Sequence, residues 1–194
     1  MRLALSLAAA AVAASAAAAA IPAVASAETV IPTEKFSGVE LHGGGRISIR
    51  QGPVTRVTLV DGDPNVARFE VNSRGRLIVS SCRGFCWGSH HLDVEIVTPD
   101  LDAVGIMGGG HITAAGAFPA KGAVEAFIHG GGDIDMRAVP AQAASASIHG
   151  GGKIVVAAQS SLDASIYGGG AIRYAGHPAV NSSIHGGGSV SSIN

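Results

Sequence analysis

Charge and aromatics are scarce in this chain: charged residues make up 14% of its 194 positions, aromatics 4%, and there is a single Trp. The balance of 13 Lys+Arg against 14 Asp+Glu leaves a formal net charge of −1, with no basic stripe to follow a phosphate backbone. Nucleic acid is therefore not expected as a partner. Cysteine occurs only twice, too few for a disulfide scaffold or a closed zinc site. Beyond residue 27 no apolar run reaches the length that crosses a bilayer, and no segment shows the 3.6-residue period of an amphipathic helix. What the chain has in quantity is glycine, 28 residues of it, much of it in triplets.

The N-terminus is a region apart. Arg2 precedes an alanine-dominated apolar run to Ala20, then Pro22 and Ala25-Ser26-Ala27. A positive start, an apolar middle and an A-x-A site predict a signal peptide over residues 1–27, cut before Glu28. Pro22 and the small residues after it favour cleavage over retention as an anchor, and no Cys follows the site to carry a lipid. Removal of Arg2 shifts the formal charge from −1 to −2. The expected location is the periplasm or the cell surface, with no transmembrane segment left after cleavage. In that oxidising setting Cys82 and Cys86, spaced C-x3-C, are expected to join in a local disulfide.

Residues 28–35 read as an extended lead-in, and residues 36–194 as one domain. Within it a seven-residue unit recurs: Leu41 to Ile47, Ile106 to Ile112, Ile128 to Ile134, Ile148 to Ile154, Ile166 to Ile172 and Ile184 to Val190. The last five copies are 22, 20, 18 and 18 residues apart. A fixed period of this size marks units that bury their apolar faces against neighbouring units. Alternating residues precede each triplet (Val124, Ala126, Ile128; Ala144, Ala146, Ile148; Leu162, Ala164, Ile166; Val180, Ser182, Ile184) and follow it. Such alternation predicts strands with one face in a thin core. Earlier in the chain, Phe69–Val71 and Leu77–Val79 flank a turn and read as a hairpin. The fold expected is all-β: a single-stranded β-solenoid, right-handed favoured although the pattern leaves handedness open.

The turn glycines are Gly43, Gly44, Gly45, Gly108, Gly109, Gly110, Gly130, Gly131, Gly132, Gly150, Gly151, Gly152, Gly168, Gly169, Gly170, Gly186, Gly187 and Gly188. Their reading is structural, since glycine tolerates positive φ and close backbone approach. Gly131 is expected to exclude a Cβ, so that Val there destabilises more than Val at Asp133. A calcium-binding nonapeptide array does not fit, because the alternate nines lack a glycine turn. A phosphate loop does not fit either, with no Lys-Ser/Thr pair after any triplet.

Several spaced motifs carry a family resemblance: Phe36-Ser37-Gly38-Val39-Glu40-Leu41, Ile49-Arg50-Gln51-Gly52, Gly75-Arg76-Leu77-Ile78-Val79, and Thr98-Pro99-Asp100-Leu101. With the repeated glycine turn, they make residues 36–194 resemble the bacterial family called putative auto-transporter adhesin head, GIN domain. Its members usually carry Gly-Ser-Gly where this chain has Gly-Gly-Gly. The resemblance implies a β-helix similar to pectate-lyase-like solenoids, export, no established catalytic residues and a role in adhesion.

Function is less legible. His42, His129, His149 and His185 share the position before the triplet, with Met107 and Tyr167 in the other copies. If units stack, His129 and His149 lie one strand apart, the low-priority candidate for a zinc or copper pair, against a solvated stripe. The position after the triplet reads Arg46, His111, Asp133, Lys153, Ala171, Ser189, the variety of an exposed surface. Asp133 and Asp135 fit a glycosidase pair only loosely. Trp87, His90 and His91 beside the cysteines form either a binding patch or a cap. The expectation is a non-enzymatic exported module, without cofactor, that binds a surface glycan or protein. Its alternatives are a carbohydrate-active enzyme and a periplasmic metal binder.

Overall fold

A computed structural model describes residues 28–82 and 91–193. The expected signal peptide, Cys86, Trp87 and His90 lie outside them. Among the described residues there are fifteen strands and no helix. In chain order they are β1 Thr29–Ile31, β2 Gly38–Gly43, β3 Arg46–Gln51, β4 Arg56–Asp61, β5 Arg68–Val71, β6 Arg76–Ser80, β7 Asp93–Thr98 and β8 Ala103–Gly108. They continue as β9 His111–Ala115, β10 Lys121–Gly130, β11 Asp133–Gly150, β12 Lys153–Gly168, β13 Ala171–Ala175, β14 Ala179–Gly186 and β15 Ser189–Ser192.

The repeat period becomes strand register. Ile128 pairs with Ile148, Ile148 with Ile166 and Ile166 with Ile184, all in parallel ladders. One ladder runs β6, β2, β8, β10, β11, β12, β14, and collects the strands that approach each glycine turn. The other runs β7, β3, β9, β11, β12, β13, β15, and collects the strands that leave it. Strands β11 and β12 are long enough to serve both. Each pass of the chain is thus laid on the one before it.

The first third departs from that rule. Strands β1 and β4, β4 and β7, and β5 and β6 pair antiparallel, so the sheet is mixed rather than single-stranded throughout. The cause is local. Asn72 Oδ1 accepts the N–H groups of Arg74 and Arg76, and Gly75 takes φ +70°, which reverses the chain into the hairpin read from sequence.

Alternation sends Val124, Ala126 and Ile128, with their counterparts in β11 and β12, fully into the core. Each buried Ile contributes roughly 1.5–3 kcal/mol of transfer free energy. The last pass breaks the expectation. Val180 and Ile184 remain 39% and 41% exposed, because no described strand lies beyond β14.

The triplets are not three equal glycines. Gly130 has φ +119°, and a Cβ there would lie 2.4 Å from the carbonyl oxygen of Gly108 in the preceding pass. The middle residue, Gly131, donates its N–H to that same oxygen at 2.7 Å. Its own Cβ position is open, with nothing within 4 Å, and it is not among the glycines of positive φ. This overturns the expectation for Gly131. The outer glycines meet the neighbouring backbone, and the middle one faces outward.

Candidate functional site

The in-register ladders turn sequence positions into rows. On the outside of the approach ladder, His42, Met107, His129, His149, Tyr167 and His185 form one continuous row. The structure therefore joins His42 to the others through Met107, despite its distance in sequence. Ring centroids are 4.9 Å apart for His129 and His149, 4.9 Å for His149 and Tyr167, and 4.8 Å for Tyr167 and His185. The first pair is T-shaped at 76°, whereas the other two are stacked within 11° and 3°. Stacked rings cover one another's faces, so the row offers solvent its ring edges, with imidazole nitrogens and the Tyr167 hydroxyl among them. Tyr167 is 47% exposed.

Beside this row lie Ser147, Ser165 and Ser183, matched in register, and beyond them Ser145, Asp163 and Asn181. Asn181 donates to Asp163 at 3.1 Å. The result is a flat strip, aromatic along one side and hydroxyl- and amide-bearing along the other, repeated at strand spacing.

At its N-terminal end the strip closes on an ion-pair cluster that sequence reading missed. Arg76 bonds Glu40 at 3.0 Å and also contacts Glu125, while its guanidinium lies 5.6 Å from the Phe127 ring centroid. Burial lowers the affinity of Arg76 for its proton, but the Glu40 hydrogen bond and the Glu125 charge outweigh it, leaving the guanidinium above its ordinary value. Phe127 lies where a Cβ on Gly105 would stand, so the small residue in β8 admits the large one in β10. Glu40 also bonds the His42 ring at 3.3 Å. The signal was present as charge at Glu40, Arg76 and Glu125, but it acquires meaning only once register is known.

The other candidates separate. His129 and His149 stand adjacent, and among the described residues no group of three or more His, Cys, Asp or Glu is placed to hold a metal ion. Asp133 is 3.2 Å from His111, and the Asp135 carboxylate accepts from the Arg137 guanidinium at 2.6 Å and from the Arg137 backbone N–H at 3.1 Å. Partial burial raises the Asp135 carboxyl, yet the Arg137 bonds prevail and hold it below its usual value. A glycosidase acid needs the opposite shift, so this pair is poorly suited to that chemistry. His91 is exposed and lines a shallow groove with Asp63, Val66 and Ser81. Trp87 and His90, the rest of that patch, lie outside the described residues, as does Cys86, the expected partner of Cys82.

Residues 120–178 match the family described as putative auto-transporter adhesin, head GIN domain. The match agrees, over that segment, with the GIN-domain resemblance read from the sequence over residues 36–194. The matched segment spans β11 and β12 and most of the strip. A putative adhesin from Bacteroides fragilis has a similar solved structure, with TM-score 0.53, 17% identity, and coverage of 86% of this chain and 96% of that one. At that identity the likeness concerns the fold alone. Putative adhesins from Parabacteroides merdae (TM-score 0.40, 18% identity, coverage 87% and 96%) and Parabacteroides distasonis (0.42, 17%, 86% and 96%) are also similar, but such scores add nothing to the fold assignment. No curated protein matches the chain. Among the described residues no helix is long and apolar enough to cross a membrane.

Proposed function

We propose that this GIN-type chain is an exported, non-enzymatic β-solenoid that binds an extended surface glycan along the strip beside the row of His129, His149, Tyr167 and His185. The continuous ring row carries the reading, since its ring centroids recur at 4.8–4.9 Å beside matched hydroxyls. A periodic, flat and polar surface suits a linear ligand whose own groups repeat, and each contact adds without a pocket to close. The names given to proteins of similar fold and to the matched family point towards adhesion, and the low charge of the strip favours neutral sugars over acidic ones. Export follows from the signal-like segment at residues 1–27.

The test is a glycan array with the purified protein, followed by co-sedimentation with the polysaccharides that score. Tyr167→Ala and His149→Ala are both exposed changes and are expected to weaken retention while leaving the circular dichroism spectrum unchanged. Retention that survives both substitutions would place binding elsewhere. Turnover of the polysaccharide would instead favour the carbohydrate-active alternative.

A further inference from the structure

The last approach strand, β14, presents an edge with no partner among the described residues. Which backbone groups it offers can be worked out from register. In β10 the N–H groups of Glu125 and, just after the strand, Gly131 point back to the preceding pass. Alternation then directs the N–H and C=O of Ala126 and Ile128 to the following pass. Register carries this parity through β11 and β12 to β14, so Val180, Ser182 and Ile184 aim their backbone groups outward, away from β12. The same three side chains occupy the core-facing positions of the strand.

That edge is unguarded. Exposed sheet edges are ordinarily blunted by charge, proline or bulges. Within β14 itself there is no Lys, Arg, Asp or Glu, and Pro178 stands before the strand rather than in it. On this strand Val180 and Ile184 are the large aliphatic side chains left open.

The edge is also self-complementary. An antiparallel copy centred on Ser182 places Val180 opposite Ile184 and Ser182 opposite Ser182, and every residue so paired has its backbone groups aimed at the other strand. Such facing residues exchange both hydrogen bonds of a narrow antiparallel pair. Aliphatic meets aliphatic, small meets small, and on the outer face Asn181 meets Ser183. No charge meets a like charge.

We infer that two copies of this chain associate end to end, with β14 pairing antiparallel to β14 of the second copy about a two-fold axis at Ser182. The core of one molecule then continues into the other, and the exposed strip doubles in length. The inference stands apart from glycan binding, because it uses the edge of β14 and not the outer rows.

Sedimentation equilibrium of the full chain, expressed with export, is expected to show a monomer–dimer equilibrium. Ile184→Lys places a charge opposite Val180 and is expected to weaken the dimer by at least about tenfold. Ile184 is already half exposed, so the variant should fold, and Ser182→Asp supplies a second route with two like charges at the axis. Ser182→Cys is expected to yield a disulfide-linked dimer on mild oxidation, whereas Asn181→Cys, on the outer face, is not. A wild type that stays monomeric at high concentration, a particle larger than a dimer, or a dimer indifferent to both charged variants would overturn the inference. Cross-linking through Asn181→Cys and not Ser182→Cys would overturn the register.

Discussion

Alanine at Gly130 and alanine at Gly131 should behave as differently as two adjacent, chemically identical changes can. At Gly130 the new Cβ meets the Gly108 carbonyl oxygen at 2.4 Å, a backbone atom that cannot swing aside. The residue also holds φ +119°, and a left-handed conformation costs a non-glycine residue roughly 1–2 kcal/mol. Pushing the passes apart strains the bond from Gly131 N–H to that same oxygen, worth about 1 kcal/mol. The expected loss is about 2–3 kcal/mol, and for a domain of this size that lowers the melting temperature by roughly 4–12 °C. Gly131→Ala meets open space, so its change should stay within about 0.5 kcal/mol. Thermal unfolding followed by circular dichroism, with urea titration as a second measure, reads both. Equal melting temperatures for the two variants, or a larger drop for Gly131→Ala, would refute the distinction between outer and middle glycines.

Other expectations are as direct. Asp135 has its carboxyl below its ordinary value, so its contribution to stability is present above the unfolded value near 3.8 and is lost as pH falls through the folded value. Arg137→Gln should therefore reduce the difference in stability between neutral and acid pH, and an unchanged pH profile would count against the pair. Protein recovered after export should show no reactive thiol, with Cys82 joined to Cys86, and reduction should leave the fold intact because so short a loop constrains the unfolded chain little. Alkylation of both cysteines without reductant would contradict this. Zinc titration followed by calorimetry should show no tight site at His129 and His149. Micromolar binding that disappears in the His129→Gln, His149→Gln double variant would favour the metal reading.

The architecture was largely legible because it is periodic. Ile128, Ile148, Ile166 and Ile184 recur at intervals that are themselves the pairing register, and alternation about them told inside from outside. The hairpin around Asn72–Gly75 was equally open to reading, through its turn residues. What sequence did not carry was the effect of having or lacking a next layer. Val180 and Ile184 look like Leu162 and Ile166 in pattern, yet only the latter pair is covered. Nor does a run of three glycines reveal which of them a neighbouring carbonyl approaches. The Glu40, Arg76, Glu125 and Phe127 cluster was invisible for a related reason, since it joins three strands, β2, β6 and β10, whose spacing along the chain is irregular in that region.

Parallel sheets usually require distant segments to meet, which makes them slow to assemble. Here the parallel partners in the regular part lie only 17–22 residues apart, so each new pass closes a short loop onto a template already in place. Assembly then resembles winding thread on a spool, with each turn adding about 4.8 Å of length. Duplication or loss of one 18-residue turn would change reach without disturbing its neighbours, so the extent of the outer strip is a quantity that whole-turn insertions can tune.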